Sequence, residues 1–115
     1  MNTNAKGAKL ERRTRDLVKQ KGAAFVIRAA GSFGPVDLIA FREIETLSDN
    51  ASPNVSFYQV KANKWPSAVE FSVLATMSEK LNANVYAFRY NDGIKKPLVK
   101  AHYPQSDGVW SDFDF

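Results

Sequence analysis

The residues GSFGPVDLIAF (31–41) and VSFYQVK (55–61) decide how this chain folds. Gly31, Ser32, Gly34 and Pro35 supply turn chemistry that easily continues neither a strand nor a helix. Val36, Leu38, Ile39, Ala40 and Phe41 follow as a short apolar run with one acid, Asp37, inside it. Burying an unpaired carboxylate costs on the order of several kcal/mol, so Asp37 needs a reason to be there. In the second run Gln59 and Lys61 stand two apart, which puts both on one face of a strand. If the two runs pair as a hairpin with Asp37 near Gln59, a carboxylate, an amide and an ammonium converge. That set suits a divalent metal and a phosphate.

Outward from this hairpin the chain reads as a small layered domain. Residues 1–6 are expected to fray. From Gly7 to Lys21 the spacing of Leu10, Leu17 and Val18, with Thr14 between, predicts a helix that Gly22 ends. Glu11 stands about 100° round from Leu10 on an ideal helix, beside the buried stripe. It either leans over the sheet edge or pairs with Arg15 one turn on. Phe25–Ala29, Val36–Arg42 and Val55–Lys61 read as three strands, with a polar, acidic loop over 43–54. Ser67 with Glu70 forms a capping box, so a helix runs over Ala68–Leu81. Its apolar set is Val69, Val73, Leu74, Met77 and Leu81, with Phe71 to one side. Val85–Tyr90 and Pro97–Tyr103 are a fourth and a fifth strand around the Asp92-Gly93 turn. This order predicts an α/β domain with a central mixed five-stranded sheet flanked by helices. The domain covers residues 1–106, and 107–115 form an acidic, aromatic C-terminal tail.

The totals narrow the function. With 115 residues this is one domain, and no apolar run approaches a membrane span. There are no cysteines and one histidine, His102, which excludes thiolate chemistry and a His-rich zinc site. Together with the absence of a leader this points to a cytoplasmic protein. The net charge is +4, and eight Lys or Arg fall within residues 1–30. A basic face that meets a polyanion is the natural reading; a solvated helix face is the plainer one.

An Asp after a Gly-Ser-x-Gly-Pro turn, then Gln59-x-Lys61 on the next strand, resembles the PD-(D/E)xK nuclease superfamily. Within it the chain is most similar to archaeal-type Holliday junction resolvases, which have viral relatives. Glu11-Arg12 on a short basic helix, and Arg28 ahead of Gly31 and Ser32, extend the likeness over residues 7–90. The departure is Gln59, where the resolvases usually carry Glu. The resemblance implies a restriction-endonuclease-like core that binds Mg²⁺, with Mn²⁺ as a substitute. Asp37 would be the central ligand, joined by Glu11, Gln59 and the backbone carbonyl of Val60. Lys61 would orient the attacking water or stabilise negative charge.

DNA contacts fall to Lys9, Arg12, Arg13, Arg28 and Lys64; Ser32 either touches a phosphate or closes the turn. The resemblance also implies a homodimer, with Met77 and Leu81 at the interface or in the core, acting on four-way junctions. A neutral Gln59 weakens metal binding relative to Glu, and Gln59→Glu is expected to keep or raise activity. The C-terminal tail resembles the acidic, Phe-ending tails of single-stranded-DNA-binding proteins. It either docks a replication or recombination protein or packs back through Trp110 and Phe113. Two other functions stay open: a related nuclease acting on flaps, forks or duplex DNA, and a non-catalytic DNA-binding module.

Overall fold

A computed structural model describes residues 3–29, 34–42 and 54–115. Gly31, Ser32 and most of the acidic loop lie outside these residues. The elements are α1 (Thr3–Gln20), β1 (Phe25–Arg28), β2 (Leu38–Phe41), β3 (Val55–Ala62), α2 (Ala68–Leu81), β4 (Asn84–Tyr90), β5 (Leu98–His102) and β6 (Ser111–Phe113).

The strands form one mixed sheet in sequence order, β1-β2-β3-β4-β5-β6. Neighbours are antiparallel except β3 and β4, which run parallel because α2 crosses over between them. The fold class is as the sequence predicts, with one correction: the sheet has six strands, not five. The sixth comes from the C-terminal residues, where Val99, Lys100 and Ala101 pair with Phe113, Asp112 and Ser111. Phe113 and Phe115 then pack on the core, with the Phe115 ring 5.0 Å from that of Phe88.

Alternation along the strands builds two cores. On the α1 side, Val18 packs with Leu38, Ala40, Tyr58, Tyr86, Phe88 and Tyr90. On the α2 side, Leu74 packs with Val36, Ile39, Phe57, Ala83 and Val85, and Met77 lies against them. The helix ends follow local chemistry. Ser67 and Glu70 complete the capping box of α2, and Asn82 closes it in the left-handed conformation at φ 51°. Val69 and Leu81, both in the apolar set of α2, are 72% and 51% exposed. The helix therefore buries one narrow stripe and leaves apolar side chains outside.

Candidate active site

The register Leu38↔Tyr58, carried one residue further, brings Asp37 opposite Gln59. The backbone of Asp37 is clamped on both sides. Its N–H donates to Tyr58 O at 2.8 Å, and its carbonyl accepts from Ala29 N at 2.9 Å. The carboxylate Oδ2 accepts the Val60 N–H at 2.7 Å. Burial nevertheless pushes the Asp37 pKa up to about 6, against the lowering by the Val60 bond. The nearby charge of Glu11 raises it further, Lys61 lowers it, and Glu70 raises it. Asp37 thus has partners, but they do not fully offset its loss of water.

Gln59 is 3% exposed. Its Nε2 donates to Glu70 Oε2 at 2.8 Å, while its Oε1 is buried with no hydrogen-bond partner. Lys61 Nζ lies 3.3 Å from the same Glu70 oxygen. Both polar side chains of β3 therefore converge on Glu70, in the first turn of α2. The other Glu70 oxygen accepts the Ser67 N–H at 3.0 Å and completes the cap. That backbone bond, with Gln59 and Lys61, holds the Glu70 pKa at about 2. In the sequence Glu70 reads as a helix cap alone. The signal for its second role is the short 63–67 connection, which returns the first turn of α2 over the strand it leaves.

Glu11 leans toward the sheet and not toward Arg15: its Oε1 accepts from Arg28 Nε at 2.8 Å. The structure thus brings Gln59, Lys61 and Glu70 into contact beside Asp37, with Glu11 close enough for its charge to act on that carboxylate. Of Val60, the amide joins this centre, while its side chain packs against the α1-side core. The basic residues are spread more widely. Lys9, Arg12 and Lys64 are exposed. Arg13 is engaged with the protein itself, donating to Lys95 O with its guanidinium 5.0 Å from the centre of the Tyr90 ring. Ser32 falls outside the described residues.

Among the described residues, no three His, Cys, Asp or Glu side chains gather as metal ligands. A cation here would draw on a mixed oxygen set: the Asp37 carboxylate, Gln59 Oε1, the Val60 carbonyl and Glu11. Two observations fit that set. Gln59 Oε1 is a buried acceptor left over once Nε2 is committed to Glu70. Asp37 is a carboxylate whose charged form a cation would favour. All the donors are hard oxygens, as Mg²⁺ requires.

No family model matches this chain, and no curated protein does. A solved structure is similar: Hjc of Archaeoglobus fulgidus, a Holliday junction resolvase from an archaeal hyperthermophile. The match has a TM-score of 0.59 and 22% sequence identity, and covers 87% of this chain and 74% of that one. The likeness establishes the fold, an α/β sheet flanked by helices of the restriction-endonuclease-like kind.

Proposed function

We propose that this protein is a metal-dependent endodeoxyribonuclease that cuts branched DNA, with the four-way junction as its substrate. The observation that carries the reading is the convergence of Asp37, Gln59 and Lys61 beside one another, in a fold shared with a junction resolvase. Mg²⁺ or Mn²⁺, when bound, would lower the pKa of a water and neutralise charge on the phosphate.

The chain's own residues do the rest. Asp37 would hold the cation with a carboxylate fixed by the Val60 N–H, and Gln59 Oε1 would offer a neutral second oxygen. Glu11 adds negative charge from α1, while Arg28 fixes its direction. Lys61 presents its ammonium to the phosphate or the attacking water. Glu70 is a positioning residue, because it restrains both Gln59 and Lys61. It also restores on α2 the negative charge that Gln59 lacks on β3. DNA phosphates meet Lys9, Arg12 and Lys64, contacts that position the duplex without reading its sequence.

Two copies joined through a two-fold axis would place two such centres for paired cuts. The exposed apolar residues Val69, Val73 and Leu81 of α2 offer a surface for that contact, with Phe25, Ile27 and Phe41 exposed on β1 and β2. A second reading, a DNA-binding module without cleavage, is favoured by the neutral Gln59 and by the lack of a three-acid ligand group among the described residues.

Cleavage of labelled four-way junction, flap and linear duplex, each with Mg²⁺ and Mn²⁺, tests these readings. Paired symmetric nicks confined to the junction are expected. Cutting of flap or duplex points to another nuclease of this fold, and binding with no cleavage under either metal supports the second reading.

A further inference from the structure

We infer that the hollow bordered by Trp65, Ile94 and Leu98 is a subsite for an unpaired nucleotide of the DNA strand held at Asp37 and Lys61. The inference rests on the nuclease reading and extends it to how a branch point is recognised.

The sheet register places the hollow next to the candidate active site. Lys61 pairs with Arg89, which pairs with Leu98; Gln59 pairs with Ala87, which pairs with Lys100. Side chains directly opposite across strands share a face, so Arg89 and Lys100 continue the rows that begin at Lys61 and Gln59. Trp65 lies over both of these cations, 5.8 Å from the Arg89 guanidinium and 5.3 Å from Lys100 Nζ, measured to its ring centre. The loop that carries Trp65 is fastened to the β4–β5 turn. Asn63, at φ 60°, donates its N–H to Tyr90 O at 2.8 Å, and its Oδ1 accepts Asp92 N at 2.8 Å. The indole is therefore held on a braced loop only four residues beyond Lys61.

The hollow has a volume of about 700 Å³. Its apolar residues are accessible: Ile94 is 57% exposed and Leu98 51%. Lys96 and Lys100 stand at its border. Both lysines are neutralised by carboxylates of the C-terminal segment, Lys96 by Asp114 and Lys100 by Asp112. Both carboxylates are exposed and Lys100 is half-buried, so these pairs are weak and exchangeable. Phosphate oxygens can take the places of the two carboxylates.

This combination selects one kind of occupant. A flat apolar wall with a tryptophan suits the face of a base, and the lysines suit the phosphates on either side of it. A base inside a duplex keeps both faces stacked on its neighbours and offers none to Trp65. A base released at a branch point does. The hollow thus distinguishes an open branch from continuous duplex beside the bond to be cut.

The test uses the full chain with Asp37→Asn, to prevent cleavage, and Trp110→Phe, which leaves Trp65 as the sole tryptophan of the two. Trp65 emission is followed while a forked DNA with an unpaired arm, or a fully paired duplex of equal length, is added. Anisotropy of labelled DNA measures the bound fraction in parallel. Strong quenching is expected with the fork and little with the duplex. In the chain with native Trp110, Trp65→Ala should weaken fork binding on the order of tenfold with duplex binding unchanged, and Trp65→Phe should keep most of it. Equal quenching by the two DNAs, no quenching by bound fork, or equal weakening of both by Trp65→Ala would overturn the subsite. Cleavage of branched DNA by the native chain without fork-selective quenching rejects the subsite alone. Quenching without cleavage in the native chain keeps the subsite and rejects the hydrolytic reading. No binding of either DNA rejects both.

Discussion

The two faces of β3 are built to opposite ends. Tyr58, with its neighbour Tyr86 at 5.2 Å, belongs to the α1-side core. There the Tyr90 hydroxyl meets Thr14 Oγ1 at 2.7 Å, buried on both sides. One residue along, Gln59 faces the other way and keeps a buried oxygen without a partner, beside a carboxylate pushed up to about 6. A strand's period of two lets one segment stabilise the fold on one face and hold unsatisfied groups on the other. On β3 the unsatisfied acceptor thus lies on the face that carries Gln59 and Lys61.

Substitutions on the two faces should therefore separate stability from activity. Asp37→Asn is expected to reduce cleavage by about a thousandfold or more, since it removes the charge that would hold the cation. Junction binding should survive, which a mobility-shift titration would check. Because burial holds Asp37 above its ordinary 3.8, the folded state binds this proton more tightly than the unfolded chain. Its contribution to stability is full below that value and is lost as pH rises through about 6. Asp37→Asn should therefore raise the metal-free melting temperature at pH 8 and change it little at pH 3.5. On the opposite face, Phe88→Ala should cost about 3–5 kcal/mol of stability in denaturant, because Phe88 is fully buried. Cleavage by the folded fraction should persist. An active Asp37→Asn, or a Phe88→Ala that keeps its stability, would erase the contrast.

The Gln59–Glu70 pair sharpens it. Gln59→Glu alone would set two carboxylates at the 2.8 Å contact that is now a hydrogen bond. This variant should therefore lose stability at neutral pH, and lose more when metal is absent. The exchange Gln59→Glu with Glu70→Gln should restore much of the loss, because one donor and one acceptor face each other again. Thermal melts of the two variants, with and without Mn²⁺, would check this.

The smallest effects belong to the basic helix. Arg12→Ala should leave the melting temperature unchanged and lower the salt slope of DNA binding by about one. Arg13→Ala should also lower stability, because Arg13 straps α1 to Lys95 and Tyr90.

Elements with a strong local signal are legible in the sequence. The second helix runs over Ala68–Leu81 as its capping box predicts. The pairing of the Asp37 segment with the Gln59–Lys61 segment follows from turn residues and alternation. The sixth strand was hidden because Ser111–Phe113 is short and polar; it joins the sheet through backbone pairing and the burial of flanking Phe side chains. The second role of Glu70 was hidden for another reason. A capping residue is legible from residues three apart, whereas its contacts to Gln59 and Lys61 exist only once α2 folds back over β3. Glu11 was open between two readings, and only the position of Arg28 at the end of β1 decides between them.

An anomalous difference map from crystals soaked in Mn²⁺ tests most directly whether Asp37 and the Gln59–Lys61 segment serve a common ion. A peak bound by the Asp37 carboxylate and Gln59 Oε1, absent from Asp37→Asn crystals grown in the same way, is the predicted result. A map with no peak at these oxygens, in crystals where manganese binds elsewhere, would contradict it.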